Sequence, residues 1–141
     1  MKLTLKRKKG FTLLEIIIVV IIIGVLASLA LPRLFSTVEY SRSTEAFAAI
    51  GSIRGALERC SLKSATGSML TCTLDNMDIA NPANNAGSHF TYTLSGQGVG
   101  VYTIVAARNT LDGGVATSVI TVIQTAGAIT RTGGTAFSGV Q

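Results

Sequence analysis

The 141 residues make one modest domain, and any stretch given to a bilayer leaves less chain for a water-facing core. The formal net charge of +5 sits at the start: Lys2, Lys6, Arg7, Lys8 and Lys9 are five of the twelve basic residues, and beyond them seven basic groups face seven acidic ones. That distribution excludes a basic groove for nucleic acid and turns the charge into a topology signal, because positive residues beside a membrane segment stay cytoplasmic.

Residues 8–15 read Lys8-Lys9-Gly10-Phe11-Thr12-Leu13-Leu14-Glu15 and lead into an apolar run ending at Leu31. As a helix, residues 11–32 span roughly 33 Å, about the hydrocarbon thickness of a bilayer. Residues 16–31 are uncharged, interrupted by Gly24 and Ser28. Too little chain remains to surround such a helix, so lipid is its expected medium. The rival is an ordinary secretory signal, with Leu26-Ala27-Ser28 or Ser28-Leu29-Ala30 as its small-residue cleavage site. That rival leaves the basic-Gly-Phe boundary and Glu15 unexplained.

A carboxylate inside a membrane helix is costly unless neutralised or paired. An amino group freed at Phe11 is a formal partner for Glu15, and in a helical array it can come from a neighbouring copy, fixing the axial register. Snorkelling of Glu15 at the cytoplasmic interface is the plainer alternative. Pro32 cannot donate to the helix ladder and is expected to bend or loosen it. Gly24 weakens the same stretch and permits close helix approach.

The helical period continues past Pro32. Phe35, Val38, Phe47, Ile50, Ile53, Leu57 and Cys60 form an apolar stripe widened by Ala46, Ala49 and Ala56, while Arg42, Glu45, Arg54, Glu58 and Arg59 lie mostly outside it. The helix is expected from about residue 11 to about 61. Gly51 and Gly55 lie four apart on one face, either admitting a strand or costing helicity. Cys60 and Cys72 are the two cysteines, and on the oxidising side of a membrane they are expected to pair. The bridge ties the helix end to Met69-Leu70-Thr71-Cys72-Thr73-Leu74, an alternating run that suits a short strand. Two cysteines and His89 fall short of a closed zinc site. Residues 74–87, rich in Asn and Asp, read as a solvated loop without calcium-loop spacing.

From His89 the period becomes two. Phe90, Tyr92 and Leu94 alternate with Thr91, Thr93 and Ser95, and Gly96-Gln97-Gly98 turns into a strand over 99–107. Asp112-Gly113-Gly114 is a turn signal; strands over 115–123 and 128–131 follow, joined through Gln124-Thr125-Ala126-Gly127. The fold class is α+β: one long N-terminal helix, its first half in the membrane, packed against a C-terminal antiparallel sheet of three to four strands. His89 is read as a surface residue and Asp112 as a turn residue, and no nucleophile-base set has a positional warrant. The chain is expected to be no enzyme and to need no cofactor or metal.

Lys9-Gly10-Phe11-Thr12-Leu13-Leu14-Glu15, the Ile/Val/Leu stretch and Pro32 resemble the class III signal and helix of type IV pilins and of the type II secretion pseudopilins. The resemblance covers residues 8–35. It implies cleavage between Gly10 and Phe11 by a membrane-embedded aspartyl prepilin peptidase, which also methylates the new amino terminus. It implies that Glu15 is the family's acidic residue and that Phe11, Glu15, Gly24 and Pro32 serve assembly. The implied layout is a leader over 1–10, a transmembrane and filament-core helix over 11–32, its amphipathic continuation over 33–62, a disulfide-bearing connection over 63–88 and the sheet over 89–141. The cysteine-bounded C-terminal loop of many adhesive pilins is absent, since both cysteines lie at the helix-to-sheet connection.

The expected function is a major pilin: a homopolymer drawn from the inner membrane by pilus or secretion machinery and packed through its hydrophobic helix into an extracellular filament. A major pseudopilin of type II secretion is the nearest alternative. A conductive-filament subunit and a membrane-anchored monomeric binding module are the others.

Overall fold

The computed structural model describes residues 10–125 and 127–137. The basic leader residues Lys2 to Lys9 and Ala126 of the expected last turn lie outside the described residues. The chain divides into two compact units, the first ending at Ser36 and the second starting at Thr37.

In the first unit the helix α1 (Leu13–Lys63) begins. It is long and apolar enough to cross a membrane, and none of its most apolar window is buried. Leu and Ala, both good helix formers, dominate around Pro32, with Leu29, Ala30, Leu31 and Leu34 flanking it. The helix is accordingly continuous through Gly24 and Pro32, so the expected local opening is absent here; the missing N–H removes one ladder bond without ending the element. Ser28 and Ser36 each donate to the carbonyl three residues back, at 2.8 and 2.9 Å, which keeps their hydroxyls satisfied.

In the second unit the remaining turns of α1 bury Ser43, Ala46, Ile50, Ile53, Ala56 and Leu57, at the three- and four-residue spacing of a single stripe. The stripe starts later than its pattern suggests. Phe35 and Val38 are exposed, and the small Ser43 opens the buried face in their place. Against the stripe lie strands β1 (Phe90–Ser95), β2 (Tyr102–Arg108) and β3 (Val119–Thr125), with the exposed β4 (Ala128–Gly133) paired to β3. They form one antiparallel sheet in the order β1-β2-β3-β4. Phe90, Tyr92, Tyr102, Ile104, Ala106, Ile120 and Val122 face the helix and close the core with Met69, Cys72, Met77 and Phe137.

The strands are shifted from their expected limits by turns that capture main-chain groups. Gly98 N–H donates to Val101 O at 2.9 Å, with Gly100 in the left-handed region, so β2 starts at Tyr102 and not at 99. Ser118 N–H donates to Val115 O at 2.8 Å, which delays β3 to Val119. The alternating run over 69–74 is not a strand. Ser68 makes one isolated bridge to Val99, and the chain then turns, with Cys72 N–H on Met69 O and the Asn76 side chain bonded to both Thr73 N–H and Thr71 O. Alternation without a neighbouring strand gives no ladder.

Candidate functional site

The first residues of the apolar helix are arranged for exposure. Gly10, Phe11 and Thr12 precede the first helical turn and are open to solvent. Thr12 caps that turn: its carbonyl accepts from Glu15 N–H at 3.1 Å and its Oγ1 lies 3.3 Å from the same N–H. The Thr12-x-x-Glu15 spacing is the sequence signature of such a start, a signal that the membrane reading passed over. Glu15 is thereby placed in the positive first turn of the helix dipole. A side chain added at Gly10 or Gly24 would meet nothing within 4 Å, and neither is among the left-handed glycines. Nothing within the described chain requires glycine at either place. Glycine in a helix costs about 1 kcal/mol relative to alanine.

The second unit carries a polar clasp that the sequence pattern did not disclose. Arg108 ends β2 on the helix-facing side, where a 2-residue period would put an apolar side chain. Its side chain is fully shielded, and its Nε and Nη2 donate to the two oxygens of Glu39 at 3.1 and 3.3 Å. Nη1 donates to His89 O, Asn109 O and Asn109 Oδ1, and the guanidinium carbon lies 6.0 Å from the Phe90 ring centroid. Arg42 adds a second donor to Glu39 at 3.0 Å. A buried cation is tolerated because every face of it is answered.

His89 is part of the same region and is not the free surface residue expected. Its main-chain N–H donates to Glu45 Oε1 at 3.0 Å, its Nδ1 lies 2.9 Å from Glu45 Oε2, and its Nε2 lies 3.1 Å from Asp112 Oδ2. Burial pushes the Glu45 carboxyl up, but the His89 main-chain and ring contacts outweigh it and hold Glu45 below the usual carboxylate range. Tyr92 is pushed up to about 12, first by burial and then by the Glu45 charge; its hydroxyl has no hydrogen-bond partner among the described residues. The His89 ring thus links α1, through Glu45, to the β2–β3 connection, through Asp112.

Cys60 and Cys72 form a disulfide with Cα atoms 6.2 Å apart. Nearby, Gln97 Nε2 donates to Cys72 O, and Arg59 holds Asp78 through two bonds at 2.6 and 2.9 Å. The end of α1, the 69–78 connection and the β1–β2 turn are thus joined by covalent and polar contacts.

Residues 5–31 match the family model of the prokaryotic N-terminal methylation motif. The chain is 34% identical over 93 residues to the type IV major fimbrial protein FimA of Dichelobacter nodosus, covering 64% of this chain and 58% of that protein. It is 46% identical over 52 residues to the type II secretion system core protein G of Pectobacterium carotovorum subsp. carotovorum, covering 37% of this chain and 33% of that one. The chain is thus similar, over part of its length, to type IV fimbrial proteins and to a type II secretion core protein. It is also similar to the fimbrial protein EcpC of Eikenella corrodens, at 48% identity over 50 residues, 36% of this chain and 33% of the relative. The aligned part spans between about a third and 58% of the length of these curated relatives. No solved structure matches the chain. To this likeness the fold adds a four-stranded antiparallel sheet packed on the second half of a long, apolar-fronted helix.

Proposed function

We propose that the protein is the major pilin of a type IV pilus, a structural and non-enzymatic subunit. The observation that carries this reading is the uncharged stretch 16–31 of α1, with no residue buried in the single chain and joined to the methylation motif over 5–31. Such a surface needs lipid before assembly and copies of itself afterwards, since an apolar patch of this extent is not left in water. In this reading residues 1–10 are a cytoplasmic leader, removed between Gly10 and Phe11 by a prepilin peptidase that then methylates Phe11. The open, non-helical backbone around that bond supports access by a protease. Residues 11–32 hold the precursor in the inner membrane, with the C-terminal unit on the periplasmic side, and then form the filament core with Glu15 setting the register. Pilus assembly machinery extracts the subunit. Gly24 admits a neighbouring helix, and Pro32 marks where the helix loosens on polymerisation.

The likeness to core protein G favours a second reading, a major pseudopilin of type II secretion. One experiment tests both: mass spectrometry of the native N-terminus together with electron microscopy of the fraction sheared from cells. Long surface fibres whose subunit begins at a methylated Phe11 are the expected result. Fibres whose subunit still carries residues 1–10 would overturn the maturation, and a processed chain found solely in short periplasmic assemblies would favour the pseudopilin.

A further inference from the structure

His89 stands between two carboxylates carried by separate parts of the head. Glu45, on α1, lies 2.9 Å from Nδ1, and Asp112, in the short 3-10 turn Leu111–Gly113 between β2 and β3, lies 3.1 Å from Nε2. An ionised carboxylate accepts and cannot donate. Both contacts are therefore hydrogen bonds only while both ring nitrogens carry protons, which requires the imidazolium. A neutral ring has a single N–H to place. Glu45 is already fixed by the His89 main-chain N–H and is 36% exposed at its side chain, against 63% for Asp112. The proton stays on Nδ1, toward the more shielded carboxylate, and Nε2 then presents a lone pair to Asp112. Two acceptors in contact repel.

Asp112 has a second reason to let go. Its φ of 53° makes it the one left-handed residue other than glycine among those described, a conformation that costs energy and persists while neighbouring contacts impose it. The remaining charges around the ring are answered elsewhere. From α1, Glu39 takes Arg42 and Arg108; from β2, Arg108 reaches His89 through its carbonyl and not its ring; from β1, the Tyr92 phenol is neutral in the working range.

We propose that His89 is a pH-operated latch on the pilin head: protonated, it holds the β2–β3 connection down through Asp112, and neutral, it frees that connection while staying bonded to Glu45. The connection is therefore docked while both ring nitrogens carry protons and loose while one of them does not. The freed segment carries Leu111, which is exposed, and Gly114, which lies against the Arg108 guanidinium.

The test uses the full chain, labelled with 15N, in detergent micelles. Amide hydrogen exchange over residues 110–116, corrected for intrinsic pH dependence, is expected to be slower at pH 5.5 than at pH 8 by up to about fivefold, the scale of a part-exposed ion pair. In Asp112→Asn the ratio is expected to fall to one, because an amide can face either form of the ring. A second readout needs no variant: the Gly113 amide shift should titrate with the same midpoint as the His89 ring signals. Equal protection at both pH values, or a Gly113 amide that ignores the ring's titration, would overturn the latch.

Discussion

Arg108 and Glu39 stand 69 positions apart and meet through two parallel bonds of 3.1 and 3.3 Å, with the guanidinium wholly shielded from water. The pair joins the last residue of β2 to α1 four residues ahead of its buried stripe, which begins at Ser43. Removing the carboxylate leaves the cation buried and half answered. Glu39→Ala is expected to lower unfolding stability by about 2–4 kcal/mol, and Arg108→Lys by a smaller amount, because a lysine keeps the charge while losing the two-pronged contact. Denaturant unfolding in detergent measures both; a Glu39→Ala loss near zero would show that the contact is idle.

Gly114 is required by space and not by conformation. Its φ of −64° suits any residue, yet a Cβ there would collide with the Asn109 carbonyl and come within 2.7 Å of the Arg108 guanidinium carbon. Gly113, with φ 73°, is the conformational glycine of the pair. Gly114→Ala should therefore destabilise by about 1–3 kcal/mol, in the range of overpacking, and the loss should shrink when Arg108 is replaced by Met in a double-mutant cycle. Equal losses in both backgrounds would assign the collision to the Asn109 carbonyl alone, and a Gly114→Ala loss near zero would refute it.

Reducing Cys60–Cys72, which encloses a sequence separation of 12, is expected to cost about 3 kcal/mol in the chain-entropy description. The Cys60→Ala/Cys72→Ala variant should show the same loss and faster proteolysis between residues 63 and 78. Thermal unfolding with and without reductant checks this, and unchanged stability in both would remove the bridge from the list of stabilising features.

Glu45 is held below the usual carboxylate range by its His89 contacts, against burial that pushes it the other way. A lowered folded-state value means that its stabilising contribution is present above the unfolded carboxylate range and is lost as pH falls through the folded value. Glu45→Gln should flatten the acid limb of stability against pH while leaving the limb above neutrality less affected. An unchanged acid limb would contradict this.

The two roles open to Glu15 separate by substitution. The cap bond uses the Glu15 main-chain N–H and Thr12, so Glu15→Gln keeps the helix start and loses the charge, whereas Thr12→Ala costs about 1 kcal/mol of helix stability. If the carboxylate sets filament register, Glu15→Gln should leave circular dichroism of the monomer unchanged and abolish fibres. Normal fibres from Glu15→Gln would reduce Glu15 to a residue of the helix dipole.

What was legible in the sequence follows from what repeats. Ile50, Ile53 and Leu57 announce a helix face by spacing, and Phe90, Tyr92 and Leu94 announce a strand by alternation, because each period is a property of local backbone geometry. The methylation motif is legible because it is read as a linear string. The clasp was not. Glu39, Glu45, His89, Arg108 and Asp112 are brought together by chain pairings of long range, with each partner looking like an ordinary surface residue in its own window. The run over 69–74 shows the converse: its alternation is genuine, but pairing depends on a neighbour, and the chain there is occupied by turns and the disulfide.

The sheet ends at β4, whose residues 128–132 are exposed and whose far side has no strand beside it among the described residues. In the middle of that strand sits Arg131, opposite Val122. If the protein polymerises as proposed, an open strand is an invitation to zip sheet to sheet in the wrong direction. A guanidinium at the centre raises the cost of that pairing, because an incoming strand would have to take its water away. Replacing it with an apolar residue would leave the fold intact and make amorphous clumping compete with ordered fibre growth.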